Sequence, residues 1–154
     1  ARAARAVPPT GRTGAVIVWM AVIFFFSAQP NSGDQSSALL LFLGGWFGLD
    51  ASWPYAETAH HLFRKAAHFT EYAILGALCG WALPRGGQRW LVAWACATGY
   101  AATDEIHQAF VPGRGPAVLD VLIDALGAAA ASAIAAQVWA FADGALAAED
   151  AAGR

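Results

Sequence analysis

An all-α membrane bundle is the fold class this sequence predicts, and three observations carry it. Hydrophobic residues make up 58% and charged residues 13% of the 154, against roughly 45–50% and about 25% in soluble domains, so a bilayer suits the chain better than water as solvent. The apolar residues are gathered into four long stretches and a fifth, shorter one. The polar residues collect in four short clusters at the ends of these stretches: Ser27-Ala28-Gln29-Pro30, Arg64-Lys65-x-x-His68-x-x-Glu71-Tyr72, Asp104-Glu105-x-His107-Gln108, and Arg114 with Asp120 and Asp124. The expected architecture is four transmembrane helices with a short interfacial or re-entrant helix in the first extracytoplasmic loop. It forms one domain over residues 1–154, with flexible termini at about 1–12 and 143–154.

The first stretch, Gly14 to Ser27, is short for a core of roughly 30 Å, but Arg12 can snorkel to the interface and lengthen it. The second, Ala66 to Leu83, and the third, Trp90 to Phe110, are parted by Pro84-Arg85-Gly86-Gly87-Gln88-Arg89, so they predict a tight helical hairpin. The fourth, Val118 to Ala142, follows Pro112-Gly113-Arg114-Gly115-Pro116, where Gly113 is read as a turn residue. Its Gly127, Ala128 and Ala131 are small enough to let membrane helices approach closely. The fifth piece, Ser37 to Leu49, carries Gly44-Gly45 and is too short to cross, which places it at the interface with Trp46 and Trp53 at headgroup level.

Composition also excludes partners. A net charge of −2 with no basic run gives no footprint for nucleic acid. Cys79 and Cys96 lie inside apolar stretches and read as packing residues. No cleavable signal is expected, because the first apolar run ends in Phe24-Phe25-Phe26 rather than a small-x-small site.

The basic residues set an expected orientation. With both termini in the cytoplasm of a bacterial cell, Arg2, Arg5, Arg12, Arg85, Arg89 and Arg154 lie inside, as the positive-inside rule favours. Arg64, Lys65 and Arg114 then lie outside, within the polar clusters, which implies another task for them. Under this topology all four clusters meet at the outer leaflet.

At 100° per residue, His61, Arg64, Lys65, His68, Glu71 and Tyr72 form one broad stripe that faces the protein interior. Tyr100, Asp104, His107, Gln108 and Val111 share a second face, while Glu105 points elsewhere and is read as a partner for Arg64 or Lys65. Asp120 and Asp124 are one turn apart on a third. Ionisable groups at a helix centre cost roughly 2.5–3.5 kcal/mol each on the insertion scale, so this many imply pairing, water or function. A buried network that pins the helices together is the structural alternative. For Ser27 and Gln29, capping the first helix competes with a role at the site.

The runs Arg64-Lys65-Ala66-Ala67-His68-Phe69-Thr70-Glu71-Tyr72, Asp104-Glu105-Ile106-His107-Gln108-Ala109-Phe110-Val111-Pro112-Gly113-Arg114 and Asp120-Val121-Leu122-Ile123-Asp124-Ala125-Leu126-Gly127 resemble the VanZ-like family of bacterial integral membrane proteins. The likeness covers most of the chain from Phe26 onward. It implies a cell-envelope setting without a reaction, the family's namesake being associated with low-level resistance to the glycopeptide teicoplanin. One departure is that the family often has a hydroxyl residue between Arg114 and Asp120, where this chain reads Gly115-Pro116-Ala117-Val118-Leu119.

Three classes of function fit these residues. In an enzyme acting on a lipid or lipid-linked envelope precursor, His68 or His107, tuned by Glu71 or Asp104, moves a proton. Arg64, Lys65, Glu105, Gln108, Arg114, Asp120, Asp124, Ser27 and Gln29 then bind the substrate, the cations holding its phosphate. In a binding protein the same pocket takes a lipid headgroup, an envelope precursor or the antibiotic without chemistry. In a small proton-coupled transporter the carboxylates and histidines form a relay. His-x-x-Glu and Asp-x-x-His place metal-ligand types one turn apart, but that spacing alone is a weak signal, and the reading assigns neither metal nor cofactor. The oligomeric state is left open.

Overall fold

Proline marks the places where helix gives way to turn. Pro30 precedes one helix and Pro54 another, while Pro84 and Pro112 follow two more. The computed structural model describes residues 9–30, 32–48, 50, 52–84, 86–114 and 117–152. Among the described residues there are five helices and no strand: α1 (Pro9–Ser27), α2 (Ser32–Gly45), α3 (Ala56–Ala82), α4 (Arg89–Gln108) and α5 (Val118–Ala152). The all-α expectation therefore holds, and each long apolar stretch lies on its own helix. Leu83, at the end of α3, is extended with φ −72° and ψ 149°, the conformation that a following proline favours.

Several boundaries differ from the sequence reading: α1 begins at Pro9 and α5 runs on to Ala152, so helix extends into both stretches expected to be flexible termini. The helix containing the second apolar stretch begins earlier, at Ala56, so Arg64, Lys65 and His68 lie along α3 rather than at its tip. Helix α2 starts at Ser32 instead of Ser37 and stops at Gly45. The chain then turns through Gly48 at φ +72°, a left-handed conformation that glycine adopts without strain. Leu49 is outside the described residues. Gly113 serves the α4–α5 turn in the same way, at φ +80°.

A second difference concerns the spans. Of the four expected, two are long and apolar enough to cross a bilayer by length and composition alone, Thr10–Ser27 in α1 and Val118–Val138 in α5. Helices α3 and α4 have the length, at 27 and 20 residues. Their polar clusters fall within the helices, which lowers their mean hydropathy below that of a simple apolar span.

Side-chain contacts set the helix directions. Arg12 near the start of α1 donates to the Trp81 carbonyl near the end of α3 (3.3 Å), and its guanidinium lies over the Trp81 ring. At the other end, Ser27 of α1 meets Gln108 of α4. Helix α1 therefore runs antiparallel to α3 and parallel to α4. Helix α3 runs parallel to α5, since Lys65 meets Asp120 and Gly76 meets Ala128 and Ser132. Helix α3 is central, packing on all four others and most extensively on α5.

The interior is built from small residues and the exterior from large ones. Ala93, Ala97, Ala101 and Ala128 are buried, together with Gly76, Gly80, Gly127 and Ser132. Ile17, Phe25, Leu122, Leu126, Ile134 and Val138 are exposed. The close approach expected of Gly127 is present. A Cβ added there collides with the Phe69 carbonyl oxygen of α3, and one added at Gly76 meets the Ala128 carbonyl oxygen at 2.7 Å. Cys79 is buried as a packing residue, while Cys96 is exposed, and both are free thiols.

Candidate functional site

Because the helices alternate in direction, the end of α1, the first half of α3, the end of α4 and the start of α5 lie at one end of the bundle. A cavity of about 420 Å³ opens there. Arg64, His68 and Glu71 line it from α3, Asp104 from α4, Ser27 from α1 and Arg114 from the α4–α5 turn. Ile23, Phe26, Leu39, Phe63 and Ala67 complete an apolar part of the wall. The volume lies within the range of small-ligand sites, roughly 300–1,000 Å³.

Charge pairing fixes the α3–α5 side. Asp120 accepts from Lys65 Nζ at 2.8 Å and from an Arg64 terminal nitrogen at 3.4 Å. Asp120 is buried and the two cations are partly exposed, so its carboxylate anchors both side chains at the cavity edge. One turn further along α5, Asp124 Oδ1 lies 3.6 Å from His68 Nδ1, an ion-pair distance rather than a hydrogen bond. The Asp124 side chain is only 2% exposed. The contact sets the imidazole of α3 beside the carboxylate of α5, and His68 also lines the cavity.

On the α1–α4 side, Gln108 Nε2 donates to Ser27 Oγ at 2.8 Å and to Asp104 Oδ2 at 2.9 Å. Ser27 thus ties α1 to α4 and lines the cavity at the same time. Gln29 follows as a half-buried residue whose backbone N–H donates to the Phe26 carbonyl, and it forms no part of the cavity wall.

Arg114 reaches back across the mouth and donates to the Phe26 carbonyl at 3.3 Å. Burial draws its guanidinium below its ordinary basicity and the like charge of Arg64 adds to this, while Asp104, Glu105 and Glu71 oppose both.

Two sequence assignments change. Glu105 does not pair with Arg64 or Lys65, whose contacts go to Asp120. Its Oε2 instead accepts the Ala117 N–H at 2.7 Å, satisfying a donor at the start of α5. His107 does not line the cavity. Its ring packs against Phe24, with centroids 4.6 Å apart. The remaining candidates therefore divide by place. Arg64, His68, Glu71, Asp104, Arg114 and Ser27 form the wall, Gln108, Asp120 and Asp124 contact wall residues from behind, and Lys65 pairs with Asp120. Phe63 and Leu39 were not anticipated, because single apolar residues carry no chemical signal in sequence. Among the described residues, no three His, Cys, Asp or Glu side chains are grouped so as to hold a metal ion.

The VanZ/LLP1 family model matches residues 13–140, a range that contains every wall residue of the cavity. No curated protein and no solved structure matches the chain. With most of its length inside the matched range, this chain belongs to the VanZ-like family.

Proposed function

We propose that the chain is a multi-pass envelope membrane protein whose cavity binds a phosphate-bearing headgroup of a lipid or lipid-linked precursor at the outer leaflet. The observation that carries this reading is the wall itself, where Arg64 and Arg114 face a space bounded by Phe26, Leu39 and Phe63. Such a wall matches an amphiphile with a charged head and an apolar tail.

In this reading all four long helices cross the bilayer. Helices α3 and α4 turn Tyr72, Asp104, Glu105 and Gln108 inward and leave Phe69, Ile74, Leu91 and Val92 exposed, which supports crossing despite modest hydropathy. The exposed Phe42, Trp46 and Phe47 on and after α2 suit the headgroup boundary. With both termini cytoplasmic, a cysteine placed at Ser52 is expected to react with an impermeant thiol reagent on intact cells, and one at Gly87 is not. Labelling at Gly87 alone would invert the topology.

A second reading, proton transfer to or from the bound ligand, is favoured by His68 beside Asp124 at the cavity. The link to glycopeptide resistance comes from the family and fits a protein that handles envelope lipids.

Mass spectrometry of the purified protein after detergent exchange tests the binding reading. The expected result is a phospholipid or polyprenyl phosphate retained at about one per chain and lost from the Arg64→Ala/Arg114→Ala double variant. A wild-type chain free of phosphate-bearing lipid, or a double variant that keeps it, would overturn the proposal.

A further inference from the structure

Asp104 is the wall residue whose hydrogen bonding is incomplete. It is 5% exposed, lines the cavity beside an arginine-rich mouth, and shares only one carboxylate oxygen with Gln108. Its Oδ1 is buried with no hydrogen-bond partner among the described residues. A buried carboxylate oxygen left in that state is costly, and a donor that reaches it removes the cost. Glu71, one turn before Leu75 on α3, brings a second carboxylate to the same wall.

The wall thus carries two guanidinium groups and two carboxylates besides His68. A purely anionic headgroup satisfies the first pair and meets repulsion from the second. A ligand with opposite charges on adjacent groups satisfies both.

We propose that the cavity selects a zwitterionic amine phosphate of the phosphoethanolamine type, its phosphate on Arg64 and Arg114 and its ammonium on Asp104 and Glu71. This rests on the headgroup-binding reading above and narrows it to one class. The ammonium supplies the N–H donor that Asp104 Oδ1 lacks, and charge-assisted bonds of this kind are about twice as strong as neutral ones. The apolar wall at Ile23, Phe26 and Phe63 accommodates the tail when the ligand is a lipid.

The test compares binding of phosphatidylethanolamine and phosphatidylglycerol to the full chain in detergent, for wild type, Asp104→Asn and Glu71→Gln, with melting temperature followed alongside. Wild type is expected to prefer phosphatidylethanolamine by about tenfold or more, equivalent to roughly 1.4 kcal/mol. Each variant is expected to lose most of the preference. Glu71→Gln carries the test if Asp104→Asn fails to fold, since Glu71 is only half-buried.

Equal wild-type affinity for the two lipids would overturn the zwitterion assignment and leave headgroup binding standing, whereas binding of neither would overturn both. A preference that survives in both variants would also overturn the assignment. Free phosphoethanolamine serves as competitor: full displacement identifies the soluble headgroup compound as a sufficient ligand, and displacement by the lipid alone identifies the membrane as its source. Either outcome supports the zwitterion class.

Discussion

Gly127→Ala is expected to lower the melting temperature sharply and to loosen the site at the same time. The added Cβ collides with the Phe69 carbonyl oxygen and lies 3.0 Å from its carbonyl carbon, and both are backbone atoms that no rotamer change can move aside. Helices α3 and α5 must separate. Overpacking of this kind typically costs about 1–3 kcal/mol, with larger values where the backbone itself is displaced. Because Phe69 follows His68 and Asp124 lies one turn before Gly127, the same separation widens the 3.6 Å gap between His68 and Asp124. Gly99→Ala is the control, since nothing lies within 4 Å of its Cβ position and alanine favours the helix. Thermal unfolding of the two variants by circular dichroism checks the claim. Equal melting temperatures would show that α3 and α5 do not approach each other this closely.

The convergence of the clusters was legible in the sequence because it depends on few things. The four long helices α1, α3, α4 and α5 alternate in direction, with α2 lying between the first two, so polar groups at the end of one and the start of the next reach the same side. Ser27, Arg64, Asp104 and Arg114 all follow that logic. The expected spans were borne out only in part: α1 and α5 are long and apolar enough to cross a bilayer by length and composition, whereas clustered polar residues in α3 and α4 lower their hydropathy, and the burial of Asp104, Glu105 and Gln108 emerges only from packing.

Individual pairings were less accessible. A step of about 100° per residue puts Gln108 some 40° to one side of Asp104 and His107 some 60° to the other. The rotation of α4 then turns Gln108 toward Ser27 and His107 toward Phe24. Pattern alone grouped them on one face. Glu105 posed a different problem, since its partner is a backbone N–H at Ala117 beyond a turn. Complementary charge pointed to Arg64 or Lys65, but Asp120 is nearer to both.

Arg114→Lys is expected to abolish retention of a phosphate-bearing ligand while leaving the melting temperature nearly unchanged. The arginine lies in a turn outside the helices, donates to the Phe26 carbonyl, and brings a planar fork to the cavity mouth. Lysine keeps the positive charge and loses the two parallel N–H bonds that grip a phosphate. With Lys65 and Arg64 still held by Asp120, the α3–α5 contact stays intact. An Arg114 that served the fold alone would show lost stability together with any lost retention.

The most direct measurement is a solid-state NMR experiment on protein carrying ¹⁵N-labelled arginine, purified with its retained ligand, in which ³¹P dephases the guanidinium signals. A phosphate gripped by Arg64 and Arg114 places its oxygens about 2.7–2.9 Å from guanidinium nitrogens, close enough for strong dephasing. The expected result is dephasing of two arginine side chains in the wild type, and loss of the Arg114 signal and of the bound phosphate in Arg114→Lys. Retained phosphate-bearing lipid with no dephasing of any arginine would contradict it.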